Sequence, residues 1–305
     1  LGDKNLGGTK PQVERKPLGN NQIIQIWSEL AAARKNKQEG DIMSNDAVLW
    51  KKENGICTIT MNRPEAMNAL NGDLVNGMMA AFQDCYDEEV RAVVLTGAGK
   101  AFCLGGDIAY ASKYGDGDLA AFFKDFTLPL ARLISDMRQL PKPIIASING
   151  ICAGVGMSFA AACDLRFCHD QVVFKQAYTG VGISQDGGFS QMVPLIVGLG
   201  RASEMVFMDE VITANKALEW GFVNKVTAPE ELDAQTAKMA QRLANGPTRA
   251  YAASKALLNK ALLPFLECQL EAERQGVIST SLTEDYKEGV AVFTRQKKVP
   301  EFKGK

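Results

Sequence analysis

What this chain lacks narrows it at once. It has a single histidine, His169, in 305 residues, so no mechanism that needs two imidazoles is open to it. Its seven cysteines (57, 85, 103, 152, 163, 168 and 268) are odd in number, scattered and without a C-x-x-C pair. That pattern argues against a disulfide framework or a zinc ribbon and fits a reducing compartment. Net charge is almost absent: 34 Lys+Arg stand against 35 Asp+Glu, which excludes binding to phosphate backbones by bulk basicity. No apolar run approaches the roughly 20 residues that span a bilayer, and no basic-then-apolar leader opens the chain. There is no Gly-Lys-Ser/Thr for a phosphate loop, and Gly154-Val155-Gly156 is too short for a dinucleotide fingerprint. The expectation is a globular cytoplasmic protein with no metal and no cofactor of its own, and no nucleic-acid or membrane partner.

What is present has the pattern of an α/β protein. The length exceeds what one core usually fills, so one large domain with appendages, or two domains, is expected. Residues 1–42 are polar and rich in Gly, Asn and Lys, with one short apolar stripe at Ile23, Ile24, Ile26 and Leu30 that would suit a single helix. We expect this segment to be an extension without chemistry, flexible or docked by that helix, and dispensable. From Ala47 the pattern is regular. Val48–Glu53 and Ile56–Met61 flank Asn54-Gly55, a two-residue hairpin signal. A helix is expected over Asp73–Tyr86, buried strands at Ala92–Thr96 and Ile144–Ile148, and a small-residue helix opened by Gly150–Gly156 and ending near Cys163. Strand-like pieces follow at Leu165–Phe167 and Val172–Phe174, then the loop Gly180–Gly188 into a helix. Alternating strands and helices predict a largely parallel sheet with crossover helices.

Beyond Ala228 the strands stop. Glu230–Asn245, Thr248–Leu262, Phe265–Ser279 and Thr283–Arg295 all read as helices, punctuated by Gly246-Pro247 and Pro264. The expected organisation is therefore an extension over 1–42, an α/β core over 43–228 and a helical region over 229–305. An apolar-patterned helical region has to cover something, which suggests an oligomer.

Two junctions stand out chemically. Ala101-Phe102-Cys103-Leu104-Gly105-Gly106-Asp107 and Asn149-Gly150-Ile151-Cys152-Ala153-Gly154-Val155-Gly156 each follow a buried strand and lead into a helix. Such junctions leave backbone N–H groups unpaired where the helix dipole favours negative charge. Two of them converging on one oxygen would form an oxyanion hole. Tight packing alone would explain either loop taken singly.

Four blocks in order sharpen this: Asn62-Arg63-Pro64-Glu65-Ala66-Met67-Asn68-Ala69-Leu70, Ala101–Ile108, Pro141–Ala146 with Asn149-Gly150, and Ala161-Ala162-Cys163-Asp164-Leu165-Arg166. Together they resemble the crotonase (enoyl-CoA hydratase/isomerase) superfamily over about residues 47–305. The resemblance implies a spiral core of ββα units, a C-terminal helical region for trimerisation (a homotrimer or a dimer of trimers), and acyl-CoA thioester substrates from fatty-acid or aromatic degradation. It also implies that the N–H groups of Gly106 and Val155 hold the thioester oxygen. By the same pattern Leu104 and Ala66 line the adenine pocket, Asp107 structures the turn, and Ile108 belongs to the binding site. Arg63 either meets a CoA phosphate or is simply solvated.

The family does not name the reaction. The hydratases resemble one another in two glutamates that activate water; here those positions hold Ser158 and Tyr178, neither a carboxylate. Simple hydration is therefore disfavoured. One acid does lie in the later loop: Asp186, in Gly182-Ile183-Ser184-Gln185-Asp186-Gly187-Gly188-Phe189. This resembles the isomerases that act on ring epoxides of phenylacetyl-CoA and on dienoyl-CoA. Asp186 would then shuttle a proton between two carbons; the plainer alternative is an N-cap for the helix Phe189–Val197. Ser158 and Tyr178 are kept as substrate-binding positions. His169 reads as a surface-turn histidine and Cys103 and Cys152 as packing residues. Ser184, Gln185 and Gln191 either bond a substrate or face solvent, and Tyr110, Tyr114 and Phe122 are candidates for the acyl pocket. The expectation is an acyl-CoA isomerase. The alternatives are a hydratase, an aryl-CoA dehalogenase using Asp186 as nucleophile, or a non-catalytic member of the fold binding RNA or a partner.

Overall fold

The computed structural model describes residues 43–111, 119–295 and 299–305. The helix expected near residues 23–30, the role of the 1–42 segment and the candidate Tyr114 lie outside these residues.

Chain order begins with the short β1 (Met43–Ser44) and the hairpin β2 (Val48–Glu53) and β3 (Ile56–Met61). Asn54 and Gly55 both adopt positive φ, 52° and 78°, and close the Glu53–Ile56 pair as the Asn-Gly signal requires. Then come α1 (Gly72–Asp84), β4 (Ala92–Gly97), β5 (Ala101–Cys103), the one-turn α2 (Ile108–Ala111) and α3 (Leu119–Gln139). The centre of the chain holds β6 (Ile144–Ile148), β7 (Ile151–Ala153), α4 (Val155–Ala162), β8 (Leu165–His169) and β9 (Val173–Lys175). Next are α5 (Phe189–Val197), α6 (Leu199–Met208), β10 (Ile212–Thr213), α7 (Ala214–Glu219) and β11 (Lys225–Thr227). Four helices follow: α8 (Leu232–Ala244), α9 (Thr248–Leu262), α10 (Leu266–Ser281) and α11 (Glu284–Arg295).

The strands form two sheets. The larger has seven strands in the order β1-β2-β3-β4-β6-β8-β11, antiparallel at the hairpin end and parallel from β3 onward. Its parallel strands are apolar on both faces, as continuous runs such as Val93-Val94-Leu95 demand. One face packs on the main core, and the other, through Val94 and Ile145, lies under Ala240 of α8.

The second sheet corrects the single-sheet expectation. Four short strands run in the order β10-β9-β7-β5, with β5, β7 and β9 mutually parallel. Residues 101–103 and 151–153, read from sequence as parts of glycine-rich loops, are strands of this sheet. Three residues are too few for alternation to show, and the flanking glycines hide them.

The C-terminal helices are tied to the core by buried polar groups. Asp164 accepts from Arg138 at 3.0 Å and from Lys255 of α9 at 2.9 Å, and its second oxygen also takes the Ile144 N–H at 2.9 Å. Arg166, also buried, donates to the carbonyls of Phe222 and Cys163. The Cys163-Asp164-Leu165-Arg166 block is thus a structural fastening. No helix among the described residues is long and apolar enough to cross a membrane.

Candidate active site

Three parallel strands of the small sheet deliver three loops to one end. β5 runs into Leu104–Asp107, β7 into Gly154-Val155, and β9 into Gln176–Tyr178, all at carboxyl ends, where α/β folds place ligands. The first two loops touch through backbone. Gly105 and Gly154 hold φ of 114° and 52°, and a Cβ on Gly154 would sit 3.1 Å from the Gly105 Cα. Only glycine permits both the conformation and the approach.

Among the described residues the two candidate N–H donors have no backbone acceptor. Residue 106 bridges Leu70 through its neighbours: the Leu70 N–H bonds the Gly105 carbonyl at 2.7 Å and the Asp107 N–H bonds Leu70 at 3.0 Å. The Gly106 N–H takes no part in that bridge, and a Cβ there would meet no atom of the described residues within 4 Å. Val155 is the first residue of α4, where an N–H has no intrahelical acceptor. Gly156, next in α4, has no such room, because a Cβ would collide with the Cys103 carbonyl oxygen. Gly156→Ala should therefore destabilise the protein by about 1–3 kcal/mol through overpacking, read as a shift in the urea midpoint at unchanged slope.

The third group is carried by the loop 179–188. Gly187 packs on the first turn of α4: a Cβ there would lie 2.9 Å from Ser158 Cβ and 3.4 Å from Val155 Cγ2. Asp186 thereby adjoins in the chain the residue that packs on Val155, the second candidate donor. Tyr178 Oη donates to Asp186 Oδ1 at 2.8 Å, Ser158 Oγ donates to the Asp186 carbonyl at 2.8 Å, and the two hydroxyls are 3.1 Å apart. Among the described residues Asp186 Oδ2 takes no hydrogen bond. Burial pushes the Asp186 carboxyl up to about 6, against the opposing pull of the Tyr178 hydrogen bond. The Tyr178 phenol is driven well above its ordinary value by burial first and by the Asp186 charge second.

The N-cap alternative for Asp186 does not match the geometry. Gly188, in the left-handed region, precedes α5, and its N–H is taken by Glu273 Oε2 at 2.6 Å. Glu273 Oε1 takes the Ser190 N–H at 2.8 Å and the Ser190 hydroxyl at 2.5 Å. Glu273, on α10, was not among the residues singled out from sequence. Nothing in the local pattern marks a carboxylate 85 residues away as the partner of this helix start.

The other candidates fall as follows. Arg63 is half-buried, its guanidinium bonded to Asp107 Oδ2 at 2.9 Å and to the Ala69 carbonyl, so both groups tie the first loop. Asp107 Oδ1 also caps α2 by taking the Tyr110 N–H at 2.9 Å. Leu104 is exposed beside the 66–67 turn, its N–H bonded to the Met67 carbonyl at 3.1 Å, which brings it next to half-buried Ala66. Ile108 packs half-buried against the core. Tyr110 and Phe122 meet edge to face at 6.0 Å and share with Gly72, Val75 and Phe126 a cavity of about 170 Å³. Among the described residues Ser184 and Gln191 each keep a buried side-chain oxygen without a hydrogen-bond partner. His169 lies apart, its Nδ1 accepting the Gln171 N–H and its Nε2 bonded to the Asn149 carbonyl at 3.1 Å. Cys103 and Cys152 are fully buried, and burial raises both thiols, Cys103 to about 12, so they are packing residues. Among the described residues no group of three or more His, Cys, Asp or Glu is placed to hold a metal ion.

Comparison with known proteins shows the family. Residues 51–305 match the family model described as enoyl-CoA hydratase/isomerase. The 1,2-epoxyphenylacetyl-CoA isomerase of Escherichia coli is 32% identical over 266 residues, covering 85% of this chain and 98% of its own. The short-chain-enoyl-CoA hydratase of Clostridium acetobutylicum is 31% identical over 265 residues, covering 86% and 100%. In three dimensions the chain is similar to an enoyl-CoA hydratase from Mycobacterium avium subsp. paratuberculosis, with a TM-score of 0.75, 31% identity, and coverage of 87% of this chain and 99% of that one. An isomerase and a hydratase thus stand at the same distance, and identity does not choose between their reactions.

Proposed function

Since the chain belongs to the enoyl-CoA hydratase/isomerase family, with its α/β crotonase fold of two mixed sheets and C-terminal helices, we propose that it is an acyl-CoA isomerase with Asp186 as its one acid/base. The observation that carries this reading is the Asp186 carboxylate itself. It is held at Oδ1 by Tyr178, precedes the Gly187 that packs on the first turn of α4, and is relieved of helix capping by Glu273.

The proposed chemistry follows from these positions. The thioester oxygen accepts the Gly106 and Val155 N–H groups. Asp186 Oδ2 removes a proton from the acyl chain, the C–H electron pair moves into the conjugated system, and negative charge settles on the thioester oxygen. Each preorganised N–H is worth on the order of 3 kcal/mol there, helped by the dipole of α4. The carboxyl then returns the proton to another carbon, and the double bond has moved with no atom gained or lost. A group near pH 6 suits a base that must also give its proton back.

Hydration would need a second carboxylate to orient and deprotonate water. Ser158 and Tyr178 are both committed to Asp186, and Glu273 is turned onto backbone N–H groups behind the loop. A panel of enoyl-, dienoyl- and aryl-CoA thioesters followed by mass spectrometry tests the reading. Isomerisation leaves the mass unchanged; a gain of water, or exchange of halide for hydroxyl, in place of isomerisation would refute it.

The proposal includes self-association, with CoA thioesters as the small-molecule partner. Leu257, Leu258, Leu262 and Phe265 stand 52–70% exposed along α9 and the turn after it, more apolar surface than a monomer usually leaves uncovered. A sedimentation mass of three or six chains is expected, and a mass of one chain at micromolar concentration would remove this part.

A further inference from the structure

One stripe of α10 serves the loop that carries Asp186. Gln269, Glu273, Gly276 and Thr280 follow one another at steps of four, three and four, so they share a single helix face. Thr280 Oγ1 accepts the Ser184 N–H at 3.1 Å, and Gly276 leaves the space that Ser184 fills, since a Cβ there would lie 2.9 Å from its hydroxyl. Gln269 Nε2 donates to Ser190 Oγ at 2.8 Å, and that hydroxyl in turn donates to Glu273. Glu273 is the centre of the stripe. It is 6% exposed and takes three hydrogen bonds from Gly188 and Ser190. Among the described residues no cation balances its charge. A buried carboxylate is expensive, and an apolar or amide side chain would fill this place more cheaply unless the charge is useful.

We propose that Glu273 is a positioning residue for the base: its carboxylate fixes the Gly188–Ser190 turn and, through it, the place and electrostatic surroundings of Asp186, two residues earlier. The inference rests on Asp186 being the base. Among the described residues the titratable groups that face Glu273 are Asp186, on the loop, and Tyr178, beyond it. Burial first, and then the Asp186 charge, bring Glu273 to about 7, while its three donors favour the ionised form. The Asp186 charge raises Glu273, so the ionisation of Glu273 depends on that of Asp186. Full engagement of the clamp needs Glu273 ionised, because a protonated Glu273 would turn an O–H toward N–H donors, and the base needs Asp186 ionised.

The test uses the full chain with trans-3-hexenoyl-CoA in D2O, following turnover and deuterium incorporation across pH 5–9. Glu273→Gln should fold and bind the thioester with KM little changed, while kcat falls by about 10²-fold, the scale of a displaced catalytic group. Its activity should rise with pH through one ionisation at lower pH, where the wild type shows a steeper, higher-lying rise through two. Glu273→Asp, which keeps the charge with shorter reach, should retain the two-ionisation profile and recover part of kcat. A purely structural clamp would lower the folded fraction and leave kcat per binding-competent site and the pH profile as in the wild type; that result overturns the proposal. Asp186→Asn is measured alongside. If it turns over normally, the base is elsewhere and both readings fall. If it is inactive while Glu273→Gln matches the wild type in kcat and pH profile, only the role of Glu273 fails.

Discussion

Replacing Asp186 by Asn is expected to abolish double-bond migration while leaving the protein folded and able to bind CoA thioesters. Asn keeps an oxygen at Oδ1 to accept the Tyr178 hydroxyl, so the 2.8 Å contact survives. The start of α5 is untouched, because its N–H groups belong to Glu273. What is lost is the ability to take and return a proton, a loss of about 10²–10⁴-fold or more in kcat. Tyr178→Phe should cost far less and move the pH profile instead. Its hydrogen bond lowers the Asp186 pKa, so without it the rise in activity with pH shifts to higher pH. The stability signature has a definite sign. The folded-state pKa of Asp186 is raised above its unfolded value, so its contribution is fully present below about 4 and is lost as pH rises through about 6. The Asn variant should lose less stability than the wild type across that window, measured by urea denaturation at pH 4 and pH 7. Normal turnover by Asp186→Asn, with Tyr178→Phe inactive, would place the proton transfer at the hydratase-like positions.

The parts of this molecule that were legible in its sequence are those whose physics is local. The Asn54-Gly55 hairpin, the apolar strand at 92–97 and the strand Ile144–Ile148 announce themselves by turn chemistry or by continuous burial. The four C-terminal helices announce themselves by period and punctuation, and their observed ends differ by a residue or two. Gly106, Val155 and Asp186 are candidates because the chain resembles a family, Asp186 through the later loop Gly182–Phe189. Taken singly, the two glycine-rich loops fit tight packing, and an N-cap is the plainer alternative for Asp186. Local reading failed where a role is assigned by a distant element. The small sheet exists because β5, β7 and β9 find one another across 75 residues of chain. Each strand is only three residues long and carries no period of its own. Glu273 sits on a helix whose polar residues look like a solvated face until the 184–190 loop is laid against it. Arg63 shows the same limit: its charge is compatible with a phosphate or with solvent until Asp107 is seen 2.9 Å away.

Removing the Val155 N–H alone should cost about 10²–10³-fold in kcat, the measured scale for one oxyanion donor. Val155→Pro does this with little other damage. Val155 is the first helical residue of α4, the position where proline is favoured and where no intrahelical hydrogen bond exists to be broken. Proline restricts the residue before it, but Gly154 lies at φ 52° and ψ −129°, the mirror image of extended backbone, and has no Cβ to clash. The side chain needs its own control, since Val155 is buried and its Cγ2 lies close to Gly187. Val155→Ala keeps the N–H and removes the methyl groups; it should lose stability and retain most of kcat. Thioester binding should survive in Val155→Pro, because the Gly106 donor remains and the ground-state carbonyl carries little of the charge that develops later. The expected pattern is therefore a collapse of kcat in the proline variant with KM nearly constant, against near-normal kcat in the alanine variant. Equal kcat in the two variants would mean that the Val155 N–H does not hold the oxygen on which the charge develops, and the site would have to be rebuilt around a different pair of donors.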